Sequence, residues 1–272
     1  MSITKKLKND CFALPQGVDW TPLDEALLHL KNSLTPIVET EVLPIDLAVR
    51  RILATDLQAA SDSPPFSNSA VDGYAFRFAD VCEKYLELKK GRAAAGHPFS
   101  HAIEKGQALR IFTGAVLPAG ADTVVLQEDV QVEGNKIYFG NSLNPGANTR
   151  TAGEDIKRGQ IIAFKRDHVT AFMAASSISS GIKRAEVYRK LKVGVFSTGD
   201  ELIDFEQPLK FGSVFDVNSP MLASLLTAWG YEVLELGKIP DNLEVLRDKL
   251  NKASETFDVL ITSGGASAGD ED

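Results

Sequence analysis

The last third of the chain alternates between short apolar strands and amphipathic helices, and this alternation restricts the fold more than any other feature. Consecutive strands joined through a helix run parallel, because a parallel pair needs a crossover connection, and such crossovers are right-handed. Residues 186–272 are therefore predicted to form the first half of a doubly wound parallel-sheet domain. The predicted elements are strands at 193–196, 231–236 and 259–261 and helices at 217–229 and 242–253.

Each of these predicted strands is followed by a polar segment. Ligands of open parallel sheets bind beyond the carboxyl ends of the strands, so these segments should meet at one rim. Glu201, Asp241 and one or more of the acidic residues 270–272 would converge there. The polar segments are 197–201, 240–241 and 262–272.

The third polar segment contains the run Ser263-Gly264-Gly265 and, two residues later, Ser267. Adjacent glycines allow successive N–H groups to point inward, which makes a cradle for an anion. A cradle for anions beside several carboxylates requires a bridging cation, and Mg²⁺ is the usual one between carboxylates and phosphate oxygens. The pattern predicts a substrate that carries phosphate or another oxyanion and is held with a divalent metal.

Simpler interpretations of the same residues remain open. The run 263–265 also fits a tight turn from a strand into a helix. Glu201 also fits the first turn of a helix, where a negative charge is favourable. Asp241 also fits the N-cap of the next helix.

A second densely specified segment covers residues 64–75. Pro64 and Pro65 fix a stiff, non-helical entry, and Asp72 is followed by Gly73, which permits close backbone approach. The segment is predicted to hold one carboxylate on a rigid edge, although a well-made turn is an equally good interpretation from the residues alone. The expected core anchors are Val71, Tyr74 and Phe76.

Two further segments carry polar residues after extended stretches. Thr113 ends a predicted strand in a Thr-Gly turn and could donate to an oxyanion, or could form a plain turn. Arg150 could bind a phosphate in bidentate fashion, while Asp155 accepts a hydrogen bond or orients a metal-bound water. Alternatively, these two residues could form a surface ion pair.

The remaining sequence predicts an N-terminal lobe with an inserted domain. Residues 61–145 read as a small, mostly β domain, while 1–60 and 146–185 form the lobe and its linker. The predicted elements are helices at 21–34 and 46–56, strands at 109–112, 123–127 and 130–132, and a hairpin whose turn is Gly134-Asn135.

Composition limits the partners. The 272-residue chain has a formal net charge of −8, which disfavours nucleic acid and anionic membrane surfaces as default partners. Its two cysteines show no metal-ligand spacing, and the sequence contains no apolar run of bilayer-spanning length. We expect a cytoplasmic protein.

Five separated segments, 64–75, 110–115, 148–155, 196–202 and 263–267, also carry a family resemblance in a fixed order. Together they resemble the molybdopterin molybdenumtransferases, the MoeA-like proteins that include the E domain of gephyrin. Val71 and Phe112 stand where the family usually has Met, and Ala266 is smaller than its usual counterpart.

This resemblance implies a multidomain α+β and α/β fold with an elongated N-terminal lobe. It implies insertion of molybdate into adenylated molybdopterin with Mg²⁺ and release of AMP. The enzyme would be a homodimer whose cleft lies between the β domain of one subunit and the α/β domain of the other. The implied catalytic residues are Asp72, Asp155, Glu201, Asp241 and Asp272, of which the last three would also hold the metal; the implied substrate-binding residues are Thr113, Arg150, Ser197, Thr198, Gly199, Ser263, Gly264, Gly265 and Ser267.

The sequence ends at Asp272, directly after the third predicted strand. The family continues with lysines that hold the anionic substrate and with a C-terminal β domain, so a truncated chain is expected. A non-catalytic oligomerising scaffold, or an inactive fragment of the same family, is the alternative to an enzyme.

Overall fold

The computed structural model describes residues 21–81, 84–140 and 142–264. A boundary between Ile37 and Val38 divides the chain into two compact units. The described part of the first unit contains helix α1 (Leu23–Ser33), which confirms the helix predicted at 21–34. Asp24 and Glu25 lie in its first turn, where carboxylates favour the positive end of the helix dipole.

The second unit contains the rest of the described structure. Its 3₁₀ turns are Phe78–Asp80 and Gln127–Asp129. Its strands and helices, in chain order, are β1 (Thr40–Pro44), β2 (Leu57–Gln58), β3 (Asn68–Ser69), β4 (Gly73–Phe76), β5 (Leu86–Ala93), β6 (Gln107–Ile111), β7 (Thr123–Leu126), β8 (Gln131–Glu133), β9 (Lys136–Tyr138), β10 (Thr149–Arg150), β11 (Ile161–Ala163), α2 (Ala171–Ser179), β12 (Arg184–Tyr188), β13 (Lys192–Thr198), β14 (Leu202–Ile203), β15 (Val214–Phe215), α3 (Asn218–Ala228), β16 (Glu232–Ile239), α4 (Leu243–Ser254) and β17 (Val259–Ser263).

A six-stranded sheet, in the order β7-β4-β6-β5-β9-β8, forms the predicted β region. Neighbouring residues along its strands join different apolar clusters: Ala75 and Leu109 pack in one, Phe76 and Ala108 in another. Since successive side chains of a strand point to opposite faces, the sheet is covered on both sides. The predicted strands at 109–112, 123–127 and 130–132 are confirmed, as are the hairpin at Gly134-Asn135 and the three core anchors.

Three antiparallel pairs connect the segments that flank this sheet: β1 with β12, β2 with β11, and β3 with β10. Apolar side chains from the first two pairs, from α2 and from the neighbouring turns form one core around Leu53, Val169 and Val187. The boundaries of the three predicted domains stay a prediction.

The helix predicted at 46–56 is wrong. Residues 45–50 form turns, and Arg50 has a φ of 69°. The Arg50 N–H donates to the Val169 carbonyl at 2.8 Å, and the Leu53 N–H donates to the Asp167 carbonyl at 3.0 Å. These long-range bonds replace the i to i−4 bonds that a helix would need.

The α/β part is a three-stranded parallel sheet in the order β16-β13-β17. Helices α3 and α4 connect its strands, so the predicted strands and helices of this part are confirmed. The chain passes from central β13 to one neighbour and then across to the other. The point where strand order reverses therefore lies between the ends of β13 and β17.

Across the described residues, no helix combines the length and the apolar character needed to cross a bilayer.

Candidate functional site

The carboxyl ends of β13 and β17 meet at the reversal of strand order. Ser197 and Ser263 are register partners in this parallel pair. Gly264 follows with a φ of 108°, and a Cβ there would collide with the Thr198 hydroxyl. Only glycine allows the two strand ends to approach this closely, so the rim presents the Thr198 hydroxyl beside the backbone of Gly264.

Beneath this rim, a polar network fixes the start of α3. The Ser197 and Ser219 hydroxyls are buried and lie 2.6 Å apart, and the Asn218 amide donates to the Ser263 hydroxyl at 2.8 Å. Partial burial raises the pKa of Asp216, but hydrogen bonds from Ser219, Ser197 and Asn218 outweigh it and hold this pKa below its usual value.

The sequence predicts that the Ser197 side chain lies at the rim, but in this network it lies below the rim. Its hydroxyl is fully buried and bonded to Ser219, so its side chain supports the rim from below. Sequence analysis missed Asp216, Asn218 and Ser219. Their signal was present, because Asp-x-Asn-Ser at the start of a predicted helix is typical of N-terminal capping.

Glu201 and Asp241 both contact the turn after β13. The Asp200 N–H donates to Asp241 Oδ2 at 3.0 Å. Glu201 folds back over Gly199, whose φ is 136° and where a Cβ would lie 2.5 Å from Glu201 Oε2. The two carboxylates therefore lie at the same edge of the sheet, as the sequence predicts.

The simpler interpretations of these two carboxylates are wrong. Strand β14 follows Glu201, so this residue does not begin a helix. Asn242 caps α4, since its side-chain oxygen accepts from Glu244 N and Val245 N at 3.0 and 3.1 Å. Asp241 is thus available to the rim.

The possible metal ligands at this edge are carboxylate and hydroxyl oxygens, which suit Mg²⁺. Glu201 and Asp241 supply two of the three predicted metal ligands. Within residues 21–81, 84–140 and 142–264, no group of three His, Cys, Asp or Glu side chains could hold a metal ion. The third predicted ligand, Asp272, lies outside the described residues, together with Gly265 and Ser267.

A lysine that sequence analysis missed supports the same turn. Lys238, near the end of β16, donates from Nζ to the carbonyl oxygens of Asp200 and Leu202 at 2.7 and 3.0 Å. Its charge lies beside the acidic turn and fixes the backbone that carries Glu201.

A second centre lies on the six-stranded sheet. Asp72 Oδ1 accepts from the Thr113 N–H at 2.8 Å and from the Thr113 hydroxyl at 2.9 Å. These two bonds, and then the charge of Arg110, hold the pKa of Asp72 below its usual value. The predicted carboxylate on a rigid edge is therefore present. Both Thr113 donors point at Asp72, so a role for Thr113 as a donor to an oxyanion would require this pair to separate.

Arg150 lies on β10, beside the Pro-Pro segment. Its guanidinium contacts both Glu154, at 3.2 Å, and Asp155. The hydrogen bonds that the Arg150 guanidinium donates to these carboxylates raise the pKa of Arg150, and the bond to Asp155 has the larger effect. The Gly153 N–H donates to the Pro64 carbonyl at 3.0 Å, so the motif segments 64–75 and 148–155 are neighbours. Arg150 and Asp155 therefore form a surface ion pair, which is one of the two interpretations that the sequence left open. The other was that Arg150 binds a phosphate.

Comparison with known proteins bears on both centres. Residues 21–181 match the family described as the MoeA N-terminal region (domain I and II), and residues 194–272 match a probable molybdopterin binding domain. The chain belongs to the MoeA family.

Relatives of this MoeA-family chain carry consistent names. A molybdopterin molybdenumtransferase from Haemophilus influenzae is 37% identical over 251 residues, covering 92% of this chain and 62% of the relative. One from Bacillus subtilis is 33% identical, covering 92% and 60%. The chain spans about three fifths of the length of these curated relatives.

A solved molybdopterin biosynthesis MoeA protein from Pyrococcus horikoshii OT3 superposes with a TM-score of 0.80 at 34% identity. The superposition covers 90% of this MoeA-family chain and 67% of that one. The Asp72 centre lies in the first matched region and the β13–β17 rim in the second.

Proposed function

We propose that the protein to which this chain belongs inserts molybdenum into molybdopterin during molybdenum cofactor biosynthesis. One observation carries the proposal. The second matched region, described as a probable molybdopterin binding domain, places hydroxyl and glycine strand ends beside two carboxylates at the reversal of strand order. That position is where open α/β sheets bind ligands.

The finer chemistry is part of the same proposal. The substrate is adenylated molybdopterin, molybdate is the incoming oxyanion, and AMP leaves. Ser263, Thr198 and the backbone at Gly264 would bind phosphate oxygens at the rim. Glu201 and Asp241 would hold Mg²⁺, which when bound supplies positive charge to neutralise the pyrophosphate link.

The Asp72 centre would complete the site in a cytoplasmic homodimer. In this arrangement Asp72 and Thr113 of one subunit face the β13–β17 rim of the other. An ionised Asp72 can orient a donor of the substrate or of a bound cation, because its pKa is held low.

The test is release of AMP and incorporation of molybdenum by the purified full-length protein, given adenylated molybdopterin, Mg²⁺ and molybdate. We expect Glu201→Gln and Asp241→Asn to lower turnover at least about tenfold, since each removes a charge that the metal needs. Glu133→Gln is the matched control, because Glu133 is an exposed carboxylate on β8. Near-normal turnover in both rim variants would overturn the metal role.

A folded wild-type protein that binds molybdopterin but releases no AMP would contradict the transferase proposal and favour the non-catalytic scaffold.

A further inference from the structure

Arg110 lies near the end of β6 and is half-buried. Its guanidinium donates from Nη1 to the Gly73 carbonyl at 2.9 Å and from Nη2 to the Gln127 side-chain oxygen. It also lies over two aromatic rings, 5.1 Å from the centroid of Tyr74 and 4.7 Å from that of Phe112. Four contacts of this kind fix both the position and the plane of the guanidinium.

Three of these four contacts are made with direct neighbours of the Asp72–Thr113 pair. Gly73 follows Asp72 in the chain, and Phe112 precedes Thr113. The Gln127 N–H donates to the Asp72 backbone carbonyl at 3.2 Å. Arg110 thus contacts the neighbours of both members of the pair, on β4, on β6 and in the turn after β7.

The charges around Asp72 come from the same three elements. Arg110 on β6 lowers the pKa of Asp72, after the larger effect of the two Thr113 hydrogen bonds. Glu128, in the turn after β7, accepts from the Gln127 side chain at 2.8 Å. That bond is the main cause of the lowered pKa of Glu128, to which Arg110 also contributes. One guanidinium therefore bonds the Gln127 amide and lowers the pKa of two carboxylates, Asp72 and Glu128.

A neutral residue, or a lysine, could not do the same. An ammonium is a point charge on a flexible stem, whereas the guanidinium fork can bond Gly73 and Gln127 at once while stacking on two rings. The sequence motif at 110–115 contains this arginine, although the pattern alone predicts a role only for Thr113.

We propose that Arg110 is a positioning residue of the second centre, which fixes the Asp72–Thr113 pair and Gln127 in the geometry that the reaction uses. Its relevance to turnover rests on the proposed function. Its effect on the Asp72–Thr113 pair does not rest on the proposed function, so the experiment can test the role of Arg110 and the proposed function separately.

The first measurement needs no substrate. Aspartate carboxyl groups of the chain are labelled with ¹³C, the Asp72 resonance is assigned with Asp72→Asn, and its titration is followed by NMR. We expect the titration midpoint of Asp72 to move upward in Arg110→Gln, because a nearby positive charge is removed. Arg110→Lys keeps the charge and should return the midpoint toward the wild-type value.

The second measurement is turnover of the full-length protein. We expect Arg110→Lys to lower kcat at least about tenfold while KM changes less than about twofold, because the charge is kept but the geometry is lost. Arg92→Gln is the matched control, since Arg92 lies over the same Phe112 ring at 5.6 Å and is exposed. It should leave both measurements unchanged.

Thermal unfolding of each variant separates positioning from loss of fold. An unchanged Asp72 titration in Arg110→Gln would overturn the proposal, and so would an equal effect of Arg92→Gln. If the wild-type protein shows no turnover, the proposed function fails, while the NMR titration still tests the role of Arg110.

Discussion

At the scale of single residues, the neighbours Asp241 and Asn242 separate function from stability. Asn242 caps α4 through two hydrogen bonds, and Asp241 contacts Asp200 in the rim. We expect Asn242→Ala to lower the free energy of unfolding by about 1 kcal/mol, the usual effect of losing an N-cap. Asp241→Asn should change stability by less than about 0.5 kcal/mol, as for other exposed positions.

Urea unfolding of both variants, with turnover measured beside it, tests this separation. The Asn242 variant should keep its turnover. The interpretation fails if Asp241→Asn proves the more destabilising of the two.

The candidate site was partly predictable from single residues. Strand ends of a parallel sheet meet at one edge whatever the packing details, so Glu201 and Asp241 could be placed together from the sequence. The burial of a polar side chain could not be predicted from the sequence in the same way. Ser197 belongs to the same polar segment as Thr198, yet alternation along the strand and the position of α3 direct its hydroxyl into the interior.

At the scale of elements, β4 depends on a glycine. Gly73 is buried, and a Cβ there would collide with the Val125 carbonyl oxygen on the paired strand β7. We expect Gly73→Ala to destabilise the protein by about 2 kcal/mol or more, because the paired strand must move. Gly140→Ala is the control, since nothing lies within 4 Å of the added methyl group.

Chemical denaturation of the two glycine variants measures the difference. Equal stabilities would show that β4 adjusts to the methyl group and would contradict the close approach.

Elements were predicted well where local pattern and long-range pairing agree. The segment 46–56 shows the opposite case. Ile45, Ala48 and Leu53 are buried at spacings that resemble a helix, but the backbone of residues 50–53 bonds to residues 166–169 instead. Strand β5 was not predicted from the sequence. Its buried residues lie at its two ends, and Lys89, Lys90 and Arg92 between them leave no regular alternation of apolar and polar residues.

An ion pair connects the segment after β12 to the start of β17. The Arg189 guanidinium bonds both carboxylate oxygens of Asp258, at 2.7 and 2.8 Å, and the Lys192 N–H donates to the same group at 2.8 Å. The Arg189 hydrogen bond is the main reason that the pKa of Asp258 falls from 3.8 to about 2. Because the folded state lowers this pKa, the pair stabilises the protein above about pH 4, and that contribution is lost as the pH falls toward about 2.

We expect Asp258→Asn to lower the free energy of unfolding by about 1 kcal/mol at neutral pH, since the pair is partly exposed. The difference from wild type should shrink in urea titrations at about pH 3. Asp248→Asn, which breaks the exposed Lys252–Asp248 pair, should cost less than about 0.5 kcal/mol. If the loss in free energy of unfolding caused by Asp258→Asn does not change with pH, the ion-pair explanation is contradicted.

At the scale of the whole molecule, the two centres lie in separately matched regions, residues 21–181 and 194–272. The sequence could assign each centre to its region because each has its own motifs. The residues alone could not show how two copies of the proposed homodimer would meet, since such a contact is made between surfaces far apart in the sequence. The proposed homodimer makes a sharp prediction about this assembly.

If Asp72 of one subunit serves the rim of the other, two variants with impaired turnover should restore one another. Asp72→Asn and Glu201→Gln subunits of the full-length protein, each expected to turn over slowly alone, are unfolded together and refolded as a mixture. Random pairing makes half of the dimers mixed, and each mixed dimer holds one intact site of two, so about a quarter of the wild-type turnover should return. Refolding each variant alone is the control. If both centres of a site came from one subunit, every site in the mixture would carry a defect, and turnover would stay at the level of the separate variants.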